Sequence, residues 1–271
     1  MNSSMQKEIK DKKDPNILKV GITGSSGHIG SILQKEFCDK YNLSLYDIKE
    51  IKPSCHATFI KVDLAEREQL DGIFNGLDIL IHLAANSSPY GLRKDIYRNN
   101  FEATSYVFEE ALKAGVKKII YASSNHYHGK DIFNIIKEDI DANKSKIFKK
   151  RVRKLITLDT LPNPNTFYGE SKVFGENLGK YLSYMGIQFV ALRIGWTIPQ
   201  DNPFIAYARD YMHSMFCSQR DLIQAFERAI EVETTFLPAF VISDNSKKVF
   251  DLTETKKTLG FQPKDNAEDY F

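Results

Sequence analysis

The chain has 271 residues, 42% hydrophobic and 27% charged, with a formal net charge of +2. That length buries a sizeable core as one enzyme-sized unit, and so balanced a charge argues against a nucleic-acid or membrane-surface role. Three cysteines at unrelated spacings, Cys38, Cys55 and Cys217, with no CxxC pair, speak against a disulfide framework or a zinc site and fit a reducing, cytoplasmic compartment.

Residues 1–16 are polar and rich in Lys and Asp without an apolar centre; they read as a disordered tail rather than a signal peptide. From residue 17 onward the chain reads as a single domain. No apolar run approaches the roughly 18 residues a membrane span needs. Ile17–Ile22 is a short apolar strand, and Ser31–Phe37 has a helical pattern. Between them lies Thr23-Gly24-Ser25-Ser26-Gly27-His28-Ile29-Gly30. Strand, glycine turn and helix in that order let the backbone approach a pyrophosphate, which rests on the free N–H groups of the helix N-terminus. A second strand, Leu43–Tyr46, ends in Asp47. A carboxylate there accepts a ribose 2′-hydroxyl and repels a 2′-phosphate, so NAD is expected over NADP.

Ala57–Lys61 is a third strand, followed by Val62-Asp63-Leu64 and a short helix over Glu66–Phe74. Leu77–His82 is a fourth strand, Asp95–Ala114 a long amphipathic helix and Lys118–Ser123 a fifth strand. Between Gly129 and Asn165 lies a segment too long for an unstructured loop. Ile132, Phe133, Ile135, Ile136 and Ile140 line a short helix there. Lys144, Lys146, Lys149, Lys150, Arg151, Arg153 and Lys154 then crowd together, as a solvated helical face, a lid over the active site or a contact for an anionic substrate. A helix runs from Thr166 to about Met185, followed by the strand Gln188–Arg193. Helices over Phe204–Phe216 and Arg220–Val232, a strand near Phe240 and a last helix over Leu252–Leu259 complete the chain. Strands alternating with helices specify an α/β fold, a doubly wound parallel sheet with its ligand site at the C-terminal strand edge. A small substrate lobe is expected mainly from residues 196–271 and an insert at about 130–165.

The chemistry is carried by Tyr168-Gly169-Glu170-Ser171-Lys172. A Tyr and a Lys four residues apart share one helix face. An ammonium beside a phenol stabilises the phenolate and lowers its pKa toward the range of a general base. Ser123-Ser124 supplies a hydroxyl at the end of the fifth strand. The six histidines show no ligand-like spacing, so no metal is expected.

The glycine loop, Asp47, Asp63-Leu64, His82-Leu83-Ala84-Ala85, Asn100, the Ser124 segment and Tyr168 to Lys172 together resemble the extended short-chain dehydrogenase/reductase family. This is the group of NAD-dependent sugar epimerases, dehydratases and dehydrogenases. The resemblance implies a Ser124–Tyr168–Lys172 catalytic triad. It also implies NAD held by Gly24, Gly27, His28, Ile29, Gly30 and Asp47, with Asp63 and Leu64 at the adenine. Leu83, Ala84 and Ala85 would lie at the nicotinamide half, and Asn100, Tyr168 and Lys172 would also be on the cofactor side. Ser123-Ser124-Asn125-His126, Leu192-Arg193-Ile194-Gly195 and the ending from Leu259 to Glu268 are further similar to bacterial uronate dehydrogenases. These oxidise a free hexuronic acid at the anomeric carbon to a lactone. By that resemblance Ser87, Ser124, Asn125, His126 and Arg193 contact the sugar, with Arg193 holding its carboxylate as a bidentate fork. For His126 the alternative is a buried hydrogen-bonded histidine with no substrate role, and for Arg193 a surface or structural ion pair.

The implied activity is oxidation of a free sugar acid or related aldose by NAD. An NDP-sugar epimerase and a non-catalytic NAD-binding regulator remain open as other classes. The partner is a small sugar or sugar acid, with homo-oligomerisation open.

Overall fold

A computed structural model describes residues 17–50, 52–53, 56–144, 154–202 and 209–270. The 1–16 tail, Cys55 and residues 146–153 of the basic cluster lie outside them.

Seven parallel strands form one sheet in the order β3-β2-β1-β4-β5-β6-β7. They are β1 (Lys19–Thr23), β2 (Asn42–Asp47), β3 (Thr58–Lys61), β4 (Ile79–His82), β5 (Lys118–Ser124), β6 (Gln188–Ile194) and β7 (Phe236–Val241). The central strands are apolar on both faces because helices cover both. Ile120, Ala122, Val190 and Leu192 face one core with Leu33, Phe37, Leu222 and Phe226. Ile119, Tyr121, Phe189 and Ala191 face the other with Val107 and Phe108. Alternate residues of one strand thus enter opposite cores.

Helix α1 (His28–Phe37) follows the glycine loop. The long helix expected after β4 is broken into α2 (Arg93–Ile96), a π-helical segment (Tyr97–Glu102) and α3 (Ala103–Lys113). Helix α4 (Gly129–Lys144) occupies the first part of the insert and is longer than the short helix expected there. Helix α5 (Phe167–Ser183) begins where the Thr166 side chain accepts the Gly169 N–H at 3.0 Å. Further on come α6 (Arg209–Met215), α7 (Gln219–Glu231) and α8 (Thr253–Thr258). The helix expected over Glu66–Phe74 is only a 3₁₀ turn at Arg67–Gln69, since Gly72 turns the chain with φ +69°.

Two glycines bring α5 against the sheet. A Cβ on Gly175 would lie 2.3 Å from the Tyr121 hydroxyl, and one on Gly179 would lie 2.1 Å from the Phe189 ring. Helix α5 therefore approaches β5 and β6 more closely than any larger residue at these positions permits.

Cysteine usage needs a correction. Cys217 is a buried free thiol, whereas Cys38, at the end of α1, is disulfide-bonded. Spacing along a chain carries no information on separation in space, so an odd count did not exclude a pair. Among the described residues no helix is long and apolar enough to cross a membrane.

Candidate active site

The strand order reverses between the parallel neighbours β1 and β4: the chain leaving β1 crosses to β2 on one side and the chain leaving β4 crosses to β5 on the other. A crevice opens at such a switch point, beyond the C-terminal strand ends. A cavity of about 1370 Å³ lies there.

One half is lined by Gly24, Gly27, His28, Ile29 and Gly30, by Asp47, by Asp63 and Leu64, and by Leu83, Ala84 and Ala85. Gly24 sits at φ +68°, and a Cβ there would come within 2.7 Å of the Ala84 backbone nitrogen. Only glycine keeps this turn open and flush with the next loop. Asp47 accepts the backbone N–H of Ser26 at 2.9 Å, so the acid at the end of β2 also fixes the glycine loop. The Arg98 guanidinium pairs with Asp63 at 2.8 Å and holds its carboxyl below the usual range against the opposing effect of burial. This half fits a dinucleotide: a glycine turn without side chains, a helix N-terminus for phosphate and a carboxylate placed for a ribose.

The other half brings Ser87, Ser124, Asn125, His126, Tyr168 and Lys172 together. Ser124 is the last residue of β5, and its Oγ accepts the His126 N–H at 3.2 Å. Tyr168 is buried by α5 packing. Burial pushes its phenol up, and a hydrogen bond with Ser124 opposes that rise. Lys172, one turn along, has its Nζ 5.5 Å from the centroid of the Tyr168 ring and donates to the Ala122 carbonyl at 2.8 Å. Burial pulls its ammonium down to about 7, opposed by the negative charge of Glu176. The His126 ring stands edge-on to Tyr168 at 5.4 Å between centroids. A hydroxyl, a phenol and an ammonium thus line one wall, suited to taking a proton from a substrate alcohol.

Two expected site residues do not face this cavity. Arg193 is 4% exposed, and its guanidinium forks onto Glu176, with Nη2 to Oε2 at 2.8 Å and Nε to Oε1 at 3.0 Å. Its remaining donor Nη1 meets His128 Nε2 at 3.2 Å, and its plane stacks 3.7 Å from the Tyr127 ring centroid. Arg193 is therefore a structural ion pair under the site, not the carboxylate fork. Its place on β6 turns it toward α5, a direction the sequence does not reveal. Asn100 is also buried. It accepts the Asn86 N–H at 2.8 Å and donates to the Asn86 carbonyl and the Ser171 hydroxyl. It ties the loop after β4 to α5 rather than touching a cofactor.

Sequence reasoning missed Glu176 and the apolar end of the cavity. Ile132 and Phe133 of α4, with Trp196, Tyr211 and Met215, close the substrate side. Glu176 carried a legible signal, being one further turn along the Tyr168–Lys172 face. The cavity wall carried none, since it depends on where α4 and α6 pack.

The family model described as "NAD dependent epimerase/dehydratase family" matches residues 20–198. An L-arabinose 1-dehydrogenase (NAD(P)(+)) of Haloferax volcanii is 30% identical over 92% of this chain and 97% of its own length. A uronate dehydrogenase of Pseudomonas putida is 30% identical over 92% of this chain and 85% of its own. Among solved structures, a mutated uronate dehydrogenase superposes with a TM-score of 0.77 at 25% identity, covering 94% of this chain and 84% of that one.

Proposed function

This chain belongs to the NAD dependent epimerase/dehydratase family, and we propose that it oxidises the anomeric hydroxyl of a free sugar, a hexuronate or related aldose, to a lactone. It is an NAD-dependent oxidoreductase acting on a CH–OH group. The observation that carries the proposal is the meeting of Ser124, Tyr168 and Lys172 on one cavity wall beside the glycine loop.

In the proposed reaction the anomeric hydroxyl lies between Ser124 and Tyr168. Ser124 holds the oxygen in line while Tyr168 takes its proton. Lys172 stabilises the phenolate from one helical turn away. Bound NAD supplies the hydride acceptor. Apolar side chains of α4 and α6 keep water from the reacting carbon.

The relatives named for arabinose and for uronate differ in the substrate's charge, and Arg193 is already spent on Glu176. A sugar carboxylate therefore needs another partner.

The test is a panel of D-galacturonate, D-glucuronate, L-arabinose, the parent hexoses and sugar phosphates with NAD, followed by NADH absorbance. Net NADH from free sugars or sugar acids is expected. Conversion of a UDP-sugar without net NADH would establish an epimerase instead.

A further inference from the structure

Glu176 is 2% exposed and lies one turn beyond Lys172 on α5. Its carboxylate accepts the Ser123 hydroxyl at 2.5 Å and the Arg193 fork from β6. The pair therefore joins the catalytic helix to β5 and β6 directly beneath the reacting groups. A buried ion pair is an expensive way to hold elements together, since apolar residues of the same volume do as well or better. Retaining one here calls for a reason beyond packing.

We infer that Glu176 is a positioning residue for the reaction: its buried carboxylate, locked by Arg193, keeps the Lys172 ammonium charged beneath Tyr168. The inference rests on the Tyr168–Lys172 reading of the site.

The surroundings of Lys172 leave little else to hold its proton. From α5, Tyr168 faces it. From β5, the Tyr121 ring centroid lies 5.0 Å from Nζ and the Ala122 carbonyl accepts its hydrogen bond. From β4, His82 is buried and held neutral, its ring pulled down to about 3 by burial first and by the Lys172 charge second. Burial acts against the Lys172 charge, and Glu176 is the anion acting for it. Around Glu176 itself stand Ser123, Arg193, Tyr121 and Tyr127. With Arg193 anchored in turn by His128 and Tyr127, the carboxylate cannot swing away toward solvent.

The experiment reads Lys172 directly and needs no substrate. Competitive labelling of the apo protein with trace acetic anhydride across a pH series, quantified by mass spectrometry, gives the Lys172 titration midpoint. Glu176→Gln keeps the shape and a hydrogen-bonding oxygen but removes the charge. It should lower the midpoint by about one pH unit or more, a tenfold change in protonation ratio per unit. Glu176→Asp, which keeps the charge, should stay within about half a unit. Ser123→Ala, which removes a hydrogen bond and no charge, should also stay near the parent value. Should Glu176→Gln fail to fold, Arg193→Gln removes the cation that offsets the carboxylate, and the Lys172 midpoint should then rise. An unchanged midpoint in whichever variant folds, or an equal fall in Ser123→Ala, would make Glu176 purely structural. An inactive protein on every sugar of the panel would sink the proposed function while leaving this readout intact.

Discussion

Arg193 on β6 and Glu176 on α5 form a forked ion pair, 2.8 Å at its short contact, with side chains 5% and 3% exposed. The contact moves a conspicuous arginine out of the cavity and into the support of helix α5. Its consequences are measurable.

Removing one partner of a buried pair strands the other charge. Arg193→Met should cost about 3–5 kcal/mol of stability by urea unfolding, far beyond a surface pair. Any loss of kcat/KM should fall alike on acidic and neutral sugars, because the guanidinium does not line the cavity. A loss confined to uronates would return Arg193 to the substrate.

Tyr168→Phe keeps the ring and removes the proton acceptor. NADH formation should fall by roughly 100-fold or more, with NAD affinity measured by calorimetry little changed. A variant retaining most of its turnover would place the chemistry on another group.

Asp47 closes β2 and accepts the Ser26 N–H. NAD should bind more tightly than NADP, and Asp47→Ala should narrow that gap by removing the negative charge that repels a 2′-phosphate. The comparison is of Kd for the two cofactors in each protein. Equal binding of both by the unmodified chain would contradict it.

His82 and His128 are each held neutral, pulled to about 3 chiefly by burial and further by Lys172 and Arg193 respectively. In the unfolded chain a histidine titrates near 6.5, so below that pH the unfolded state binds the extra protons. Their contribution is therefore complete above about pH 6.5 and is lost as the pH falls toward 3. Urea midpoints across this window should drop for the parent, and His82→Gln should flatten part of that slope. Parallel slopes for the two proteins would show that carboxylates alone govern the acid limb.

Much of this was legible in the chain. Alternating apolar strands and amphipathic helices specified the parallel sheet, because burial on both faces leaves a pattern in every strand. The glycine loop, Asp47, Ser124, Tyr168 and Lys172 sat at spacings whose chemistry depends on local backbone geometry, and the sheet edge gathered them into one cavity. Short-range geometry is encoded within a turn or two, so residues acting that way can be named before folding.

Arg193, Asn100 and Cys38 were decided otherwise. Each is a polar or reactive group whose partner lies far along the chain or could not be read from spacing. Arg193 finds Glu176 only because Gly175 and Gly179 let α5 settle close against β5 and β6. Asn100 finds Asn86 only because the loop after β4 folds back over the π-helical turn. Sequence sets what a side chain can bind, but a guanidinium fits a buried glutamate as well as a sugar carboxylate. Which of the two it met was fixed by helix-to-sheet packing, a sum of many small contacts across the core that no local pattern records.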